Sequence, residues 1–183
     1  MTINLESLPS RLAVDRERGF PDLVRALQDG VYSGALQLTR NPHDAEDVTQ
    51  DTFVRAYRAL GSYDPRRIGE LNLRPWIWTI ALNLCRNRAR SAVRRPEATL
   101  TGDRVDTGPG PEAQAIAEVS VGEWRERLSV LSGPQRTAVV LHHVVGLPFS
   151  EVAESTGRAE STTRSDVRRG LARLRTLIEE ETR

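Results

Sequence analysis

Apolar positions recur at helical spacing through most of the chain. Phe20, Leu23, Val24 and Leu27 open a first helix that Val31, Ala35 and Leu38 continue or follow. Asn41-Pro42-His43-Asp44 breaks the chain, and Asp44 with Asp47 three residues on resembles a capping box for the next helix. That helix runs to about Leu60, with Val48, Phe53, Ala56, Tyr57 and Leu60 inward. Tyr63 to Pro75, holding Pro65, Gly69 and Pro75, reads as a loop. Trp76 to about Val93 is again helical, with Ile77, Ile80, Ala81 and Leu84 on one face. Trp76 is expected in the core, and Trp78, which cannot share its direction, partly exposed.

The pattern lapses over 94–112, where Thr107-Gly108-Pro109-Gly110-Pro111 and the acids Glu97, Asp103, Asp106 and Glu112 read as a flexible tether. It returns from Ala113. Leu128 and Leu131 precede a helix start at Ser132-Gly133-Pro134, and Ala138, Leu141 and Val145 carry that helix to Gly146. Leu147 to Arg169 then spells a helix-turn-helix. Ser150 is the expected first cap, Gly157 the turn, and Ser161, with Thr162 as alternate, the second cap. Val167, Leu171 and Leu174 form the inward stripe, leaving Arg164, Ser165, Arg168 and Arg169 outside. A basic second helix of this kind enters a DNA major groove. No stretch reads convincingly as a strand. The expected fold is all-α: two small helical domains, 19–93 and 113–183, joined by the tether 94–112, after a polar and frayed extension 1–18.

Charge sharpens this picture only locally. The 26 basic residues, all arginine, nearly balance the 25 acids, so no global nucleic-acid signature exists. The helix from Trp76 nevertheless sets Asn83, Arg86, Asn87 and Arg90 in one polar row that no acid neutralises. Arginine and asparagine are the side chains that read base edges and phosphates. Glu46, Asp47, Gln50 and Asp51 form an acidic patch early in the preceding helix, where the helix dipole by itself favours carboxylates. The single cysteine, Cys85, excludes an internal disulfide and reads as a buried structural thiol. Adjacent His142 and His143 diverge around a helix, so no metal site is expected. No signal peptide, membrane span or catalytic motif is legible, which points to a cytoplasmic protein without enzymatic activity or cofactor.

Read together, Asp44 to Tyr57, Arg74 to Asn83, and Leu128 onward with Pro134-Gln135-Arg136 and the helix-turn-helix resemble, in the right order, the extracytoplasmic-function (group IV) sigma factors of bacterial RNA polymerase. The resemblance covers nearly all of 19–178. It implies a subunit that binds core RNA polymerase through the β′ clamp coiled-coil and the β subunit, recognises promoter DNA, and answers to an anti-sigma factor. It places Asp47, Gln50, Asp51 and Arg55 on core polymerase. It places Glu70, Leu71, Asn72 and Leu73 in the loop that pockets a flipped base of the −10 element, with Asn83 helping to hold that base and Arg86, Asn87 and Arg90 beside it. Ser161, Thr162, Arg164, Ser165, Arg168 and Arg169 fall on −35-reading positions. Two positions depart from the family pattern, which commonly has a basic residue at Asp166 and glycine at Ser161. Asp166 either accepts from a cytosine amino group or points away from DNA. Two rivals stand beside this reading. A free-standing helix-turn-helix regulator leaves the acidic helix and the Asn83 row unexplained, and a small helical enzyme lacks any residue-level support.

Overall fold

A computed structural model describes residues 4–94, 124 and 126–182, with the side chains of 91–94 left out. The tether beyond Arg94, with its four acids, and the patterning that resumes at Ala113 lie outside the described residues. Eight helices have both ends among those described, and residues 126–129 are helical as well: α1 (Leu8–Val14), α2 (Arg16–Thr39), α3 (Pro42–Ser62), α4 (Pro65–Gly69), α5 (Leu73–Arg94), α6 (Gly133–Val139), α7 (Phe149–Thr156) and α8 (Glu160–Glu181). A π-helical turn, Val140–Val144, extends α6. No described residue lies in a strand.

Several local expectations change. The N-terminal segment is not frayed throughout, because Leu8 and Leu12 stand one turn apart and both are fully buried. The cap of α3 is Asn41 rather than Asp44: its Oδ1 accepts from the His43 amide at 2.9 Å and the Asp44 amide at 3.3 Å. Pro42 explains the shift, since proline suits the first helical position and leaves the residue before it to cap. The stretch read as loop contains α4, capped by Asp64, and α5 begins at Leu73, before Pro75. There too the prolines occupy first turns, where a missing amide costs nothing.

Leu23, Leu27 and Val31 of α2, Phe53, Ala56 and Leu60 of α3, and Ile77, Trp78 and Ala81 of α5 form the N-terminal core. The tryptophans exchange their expected places. Trp78 is 2% exposed, whereas Trp76 is half-buried beside Tyr63. Gly34 is the cause: a Cβ there would lie 2.3 Å from the Trp78 ring and 2.9 Å from Val145. Cys85 is buried as expected, and desolvation pushes its thiol up to about 12.

Leu128, Leu131, Val139, Val140 and Leu174 make a second core. The two groups of helices are not apart. Ala138, Leu141, Leu147, Val152 and Val167 join the N-terminal cluster, and α7 lies along α5. The π turn carries Val145 to Gly34, while His142 stacks on Phe149 at 4.0 Å with its Nδ1 2.8 Å from the Leu147 carbonyl. Gly34→Ala should therefore lower stability by about 1–3 kcal/mol, because a methyl group must displace an enclosed indole. Denaturant unfolding followed by circular dichroism reads this, and an unchanged midpoint would contradict the packing described.

Candidate nucleic-acid interface

Gly157, at φ 66°, ends α7. Its amide donates to the Glu154 carbonyl at 3.3 Å and that of Arg158 to Ala153 at 3.1 Å, which turns the chain sharply toward α8. The caps differ from expectation. Pro148 and Ala159 precede the two helices, so Ser150, Ser161 and Thr162 all lie inside first turns. The hydroxyls near this turn bond back along the helix instead, Thr163 to the Ala159 carbonyl at 3.2 Å and Ser165 to Ser161 at 2.9 Å.

The inward face of α8 is Thr163, Asp166, Val167, Gly170 and Leu174. Leu171, expected inside, is 40% exposed. Gly170 decides this, because its closest neighbour would sit 2.8 Å from an added Cβ, at Val139, so α8 approaches α6 along the glycine and turns Leu171 outward. On the outer side Ser161, Arg164, Arg168 and Arg169 are exposed, with Thr162 and Ser165 half-buried. Arg164 is partly engaged, donating through Nε to Glu160 at 3.1 Å and lying 4.5 Å above the Phe149 ring. Asp166 points away from the outer face. It is 4% exposed, Oδ1 accepts from Arg169 Nη2 at 2.8 Å, and Oδ2 lies 3.2 Å from Arg158 Nη2 without hydrogen-bond geometry.

On α5 the row Asn83, Arg86, Asn87 and Arg90 is exposed throughout, with Arg86 Nη1 donating to Asn83 Oδ1 at 3.1 Å. Arg88 leaves in another direction, to Asp47 at 2.9 Å and Asp44 at 3.6 Å. Trp76 stands seven residues before Asn83, two helical turns along the same row. That spacing was the available signal that Trp76 belongs with the polar face. Of the loop, Glu70 and Asn72 are exposed and Leu71 half-buried, while Leu73 is 3% exposed and anchors α5 in the core.

Helix α7 lies against this loop. Asn72 Nδ2 donates to Glu154 Oε2 at 3.0 Å, Arg74 Nε lies 3.4 Å from Glu151 Oε2, and Thr79 Oγ1 reaches the Ser155 carbonyl at 3.4 Å. Nothing in the sequence marked Glu151 or Glu154 beforehand; their three-residue spacing on α7 was the only trace. On α3, Gln50 and Arg55 are exposed and Asp51 and Asp47 half-buried, Asp47 with its arginine partner. The same helix continues into Val54, 46% exposed, at an apolar hollow of about 270 Å³ lined also by Phe20, Phe53, Tyr57 and Arg58.

Comparison with known proteins agrees with this layout. The family description Sigma-70 region 2 matches residues 23–95, and Sigma-70, region 4 matches 122–174. The ECF RNA polymerase sigma factor SigE of Mycolicibacterium smegmatis is 35% identical over 158 residues, 84% of this chain; the chain spans 59% of that relative. The ECF RNA polymerase sigma factor SigM of Mycobacterium tuberculosis is 31% identical over 175 residues, 96% of this chain and 84% of its own. RNA polymerase sigma factor NccH of Alcaligenes xylosoxydans xylosoxydans is 28% identical over 183 residues, covering 95% and 94%. Among solved structures, CnrH in complex with the cytosolic domain of CnrY superposes with a TM-score of 0.74 at 24% identity, over 96% of this chain and 97% of that one. RpoE in complex with the anti-sigma factor NepR, from Bartonella quintana, gives 0.65 at 24%, over 88% and 98%. Both likenesses are of fold.

The α5–α7 contact carries a pH dependence. Desolvation raises the Glu151 carboxyl, Arg74 opposes the rise and Glu154 adds to it. A carboxyl with a raised pKa holds its proton more tightly when docked than when free. Docking is therefore strongest when Glu151 is protonated and weakens as pH rises through its titration. Small-angle scattering as the pH is lowered from neutral through the carboxyl titration should show the compact form gaining as pH falls. Glu151→Gln should flatten that profile and stay compact; a profile unchanged by the substitution would assign the effect elsewhere.

Proposed function

Since the chain belongs to the extracytoplasmic-function sigma factors of RNA polymerase, we propose that it is a promoter-specificity subunit acting in the cytoplasm with core enzyme and carrying no chemistry of its own. The observation that supports this best is the separation of three faces on one chain. An outward arginine face on α8, an unneutralised Asn/Arg row on α5 and an acidic row on α3, exposed at Gln50 and half-buried at Asp47 and Asp51, lie on different helices. A lone DNA-binding regulator uses only the first.

In this reading residues 19–93 bind polymerase and the −10 element, and 113–183 bind the −35 element. Asp47, Gln50, Asp51 and Arg55 meet the β′ clamp coiled-coil, and Val54 adds an apolar anchor beside them; the C-terminal domain meets the β subunit. Ser161, Thr162, Arg164, Ser165, Arg168 and Arg169 face the −35 major groove. Asn83 and the loop Glu70, Leu71 and Asn72, anchored by Leu73, receive a flipped −10 base, while Arg86, Asn87 and Arg90 hold the strand. Extruding a base costs a few kcal/mol of stacking, which pocket contacts and phosphate charge must offset. Asn72 donates to Glu154 in the compact chain, so that hydrogen bond has to break before its amide can meet a strand. An anti-sigma partner fits the same faces. The solved relative RpoE is held by the anti-sigma factor NepR, and a partner of that class would keep these surfaces from polymerase here.

Run-off transcription on genomic fragments with core enzyme tests the whole reading: promoter-specific transcripts should need both core and this chain. Tight duplex binding without core, and none added by it, would favour a free-standing regulator. Asp51→Arg should abolish co-purification with core polymerase while the helical signal persists. Asp47→Arg should do the same but also unseat Arg88, so the two variants separate interface loss from loosened packing. Arg168→Ala should weaken −35 binding by about 1–3 kcal/mol with relaxed specificity if it reads a base edge. A loss uniform across sequences would instead make it a phosphate contact.

A further inference from the structure

Among the described residues Asp166 is the only acidic side chain in the buried set. A buried carboxylate is costly unless paired, and an acid in a DNA-reading helix repels the phosphates that helix approaches. Its neighbours account for both. Arg169, one turn on in α8, donates to Oδ1, and Arg158, in the turn beyond Gly157, brings its guanidinium to Oδ2. Two cations from different parts of the motif thus converge on one anion. Each remains partly open to solvent, with side chains 39% and 60% exposed. A guanidinium has five N–H donors in a fixed fork, so one contact with Asp166 leaves most of them for another acceptor.

We propose that Asp166 is a positioning residue for −35 binding: it gathers Arg158 and Arg169 into a paired clamp for one backbone phosphate at the helix-turn-helix turn. The pair would otherwise repel itself and sample many rotamers. The buried carboxylate holds both guanidiniums together without reaching the DNA. Arg158 thereby becomes a phosphate contact that the amphipathic pattern of α8 could not reveal, because it lies outside that helix. The inference rests on the −35 reading above and adds a role to a residue whose charge, taken alone, argues against DNA.

The test uses holoenzyme assembled from core polymerase and the full chain, on the upstream duplex of a promoter recovered by run-off transcription, with affinity followed by anisotropy across a salt series. Arg158→Ala should weaken binding several-fold on all sequences alike and reduce the log–log salt slope by about one. Asp166→Ala should cause a similar loss in the native background but little further loss once Arg158 and Arg169 are both alanine. Asp166→Asn, which keeps the shape and an acceptor oxygen for Arg169, should recover part of the loss and guards against a variant that fails to fold. Unchanged affinity and slope in Asp166→Ala, a full additive loss in the double-alanine background, or tighter binding without the carboxylate would each overturn the clamp. If Arg168→Ala weakens binding and Asp166→Ala does not, the clamp alone fails. If native holoenzyme ignores the upstream duplex, the −35 reading fails with it.

Discussion

The enclosure of Trp78 is the contact on which the remaining architecture depends. Its indole fills the space that a side chain at residue 34 would take, and Val145 closes the same space from the π turn. One aromatic ring therefore ties α2, α5 and the end of α6 together. The α5 row, the loop before α5 and the helix-turn-helix all take their mutual positions from it. Because protein interiors are packed to crystal-like density, such a notch admits little adjustment. The absence of a single Cβ on α2 sets where the second helical group rests.

Acids play a consistent part around that frame. With no lysine in the chain, every cation is a guanidinium, and carboxylates decide which guanidiniums are available. Asp47 and Asp44 withdraw Arg88 from the α5 surface, leaving Arg86 and Arg90 to face solvent. Glu151 approaches Arg74 at the start of α5, and Asp166 lies between Arg158 and Arg169. Near-neutral net charge is thus compatible with locally strong positive faces. The carboxylates at these helix contacts engage particular arginines, and the α5 row is left basic.

The helical repeat was legible because each long helix buries one stripe at a spacing close to 3.6 residues, as α2, α3, α5 and α8 do. The helix-turn-helix and the exposed Asn83–Arg90 row followed from the same periodicity. What escaped was set by contacts distant in sequence or by competing local chemistry. Pro42 and Pro65 sit at the first helical position, so residues that look like breakers mark beginnings, as was already legible at Pro134. Ser150, Ser161 and Thr162 are good caps by type, but Pro148 and Ala159 hold the extended backbone a cap requires. The tryptophan exchange depended on Gly34, more than forty positions away, and the outward turn of Leu171 on a glycine facing another helix. The hydrogen bond from Asn72 to Glu154 joins residues 82 apart, beyond the reach of any local pattern.

The seam between the two helical groups is oily: Leu141, Leu147 and Val152 are almost wholly hidden within a cluster that includes Leu27 and Ile77. Parting that seam puts hydrocarbon into water at roughly 25 cal/mol for every Å² uncovered. Such a chain opens unaided only at that cost. It changes shape by exchanging one cover for another, so whatever spreads it must first offer a surface as greasy as the one it replaces.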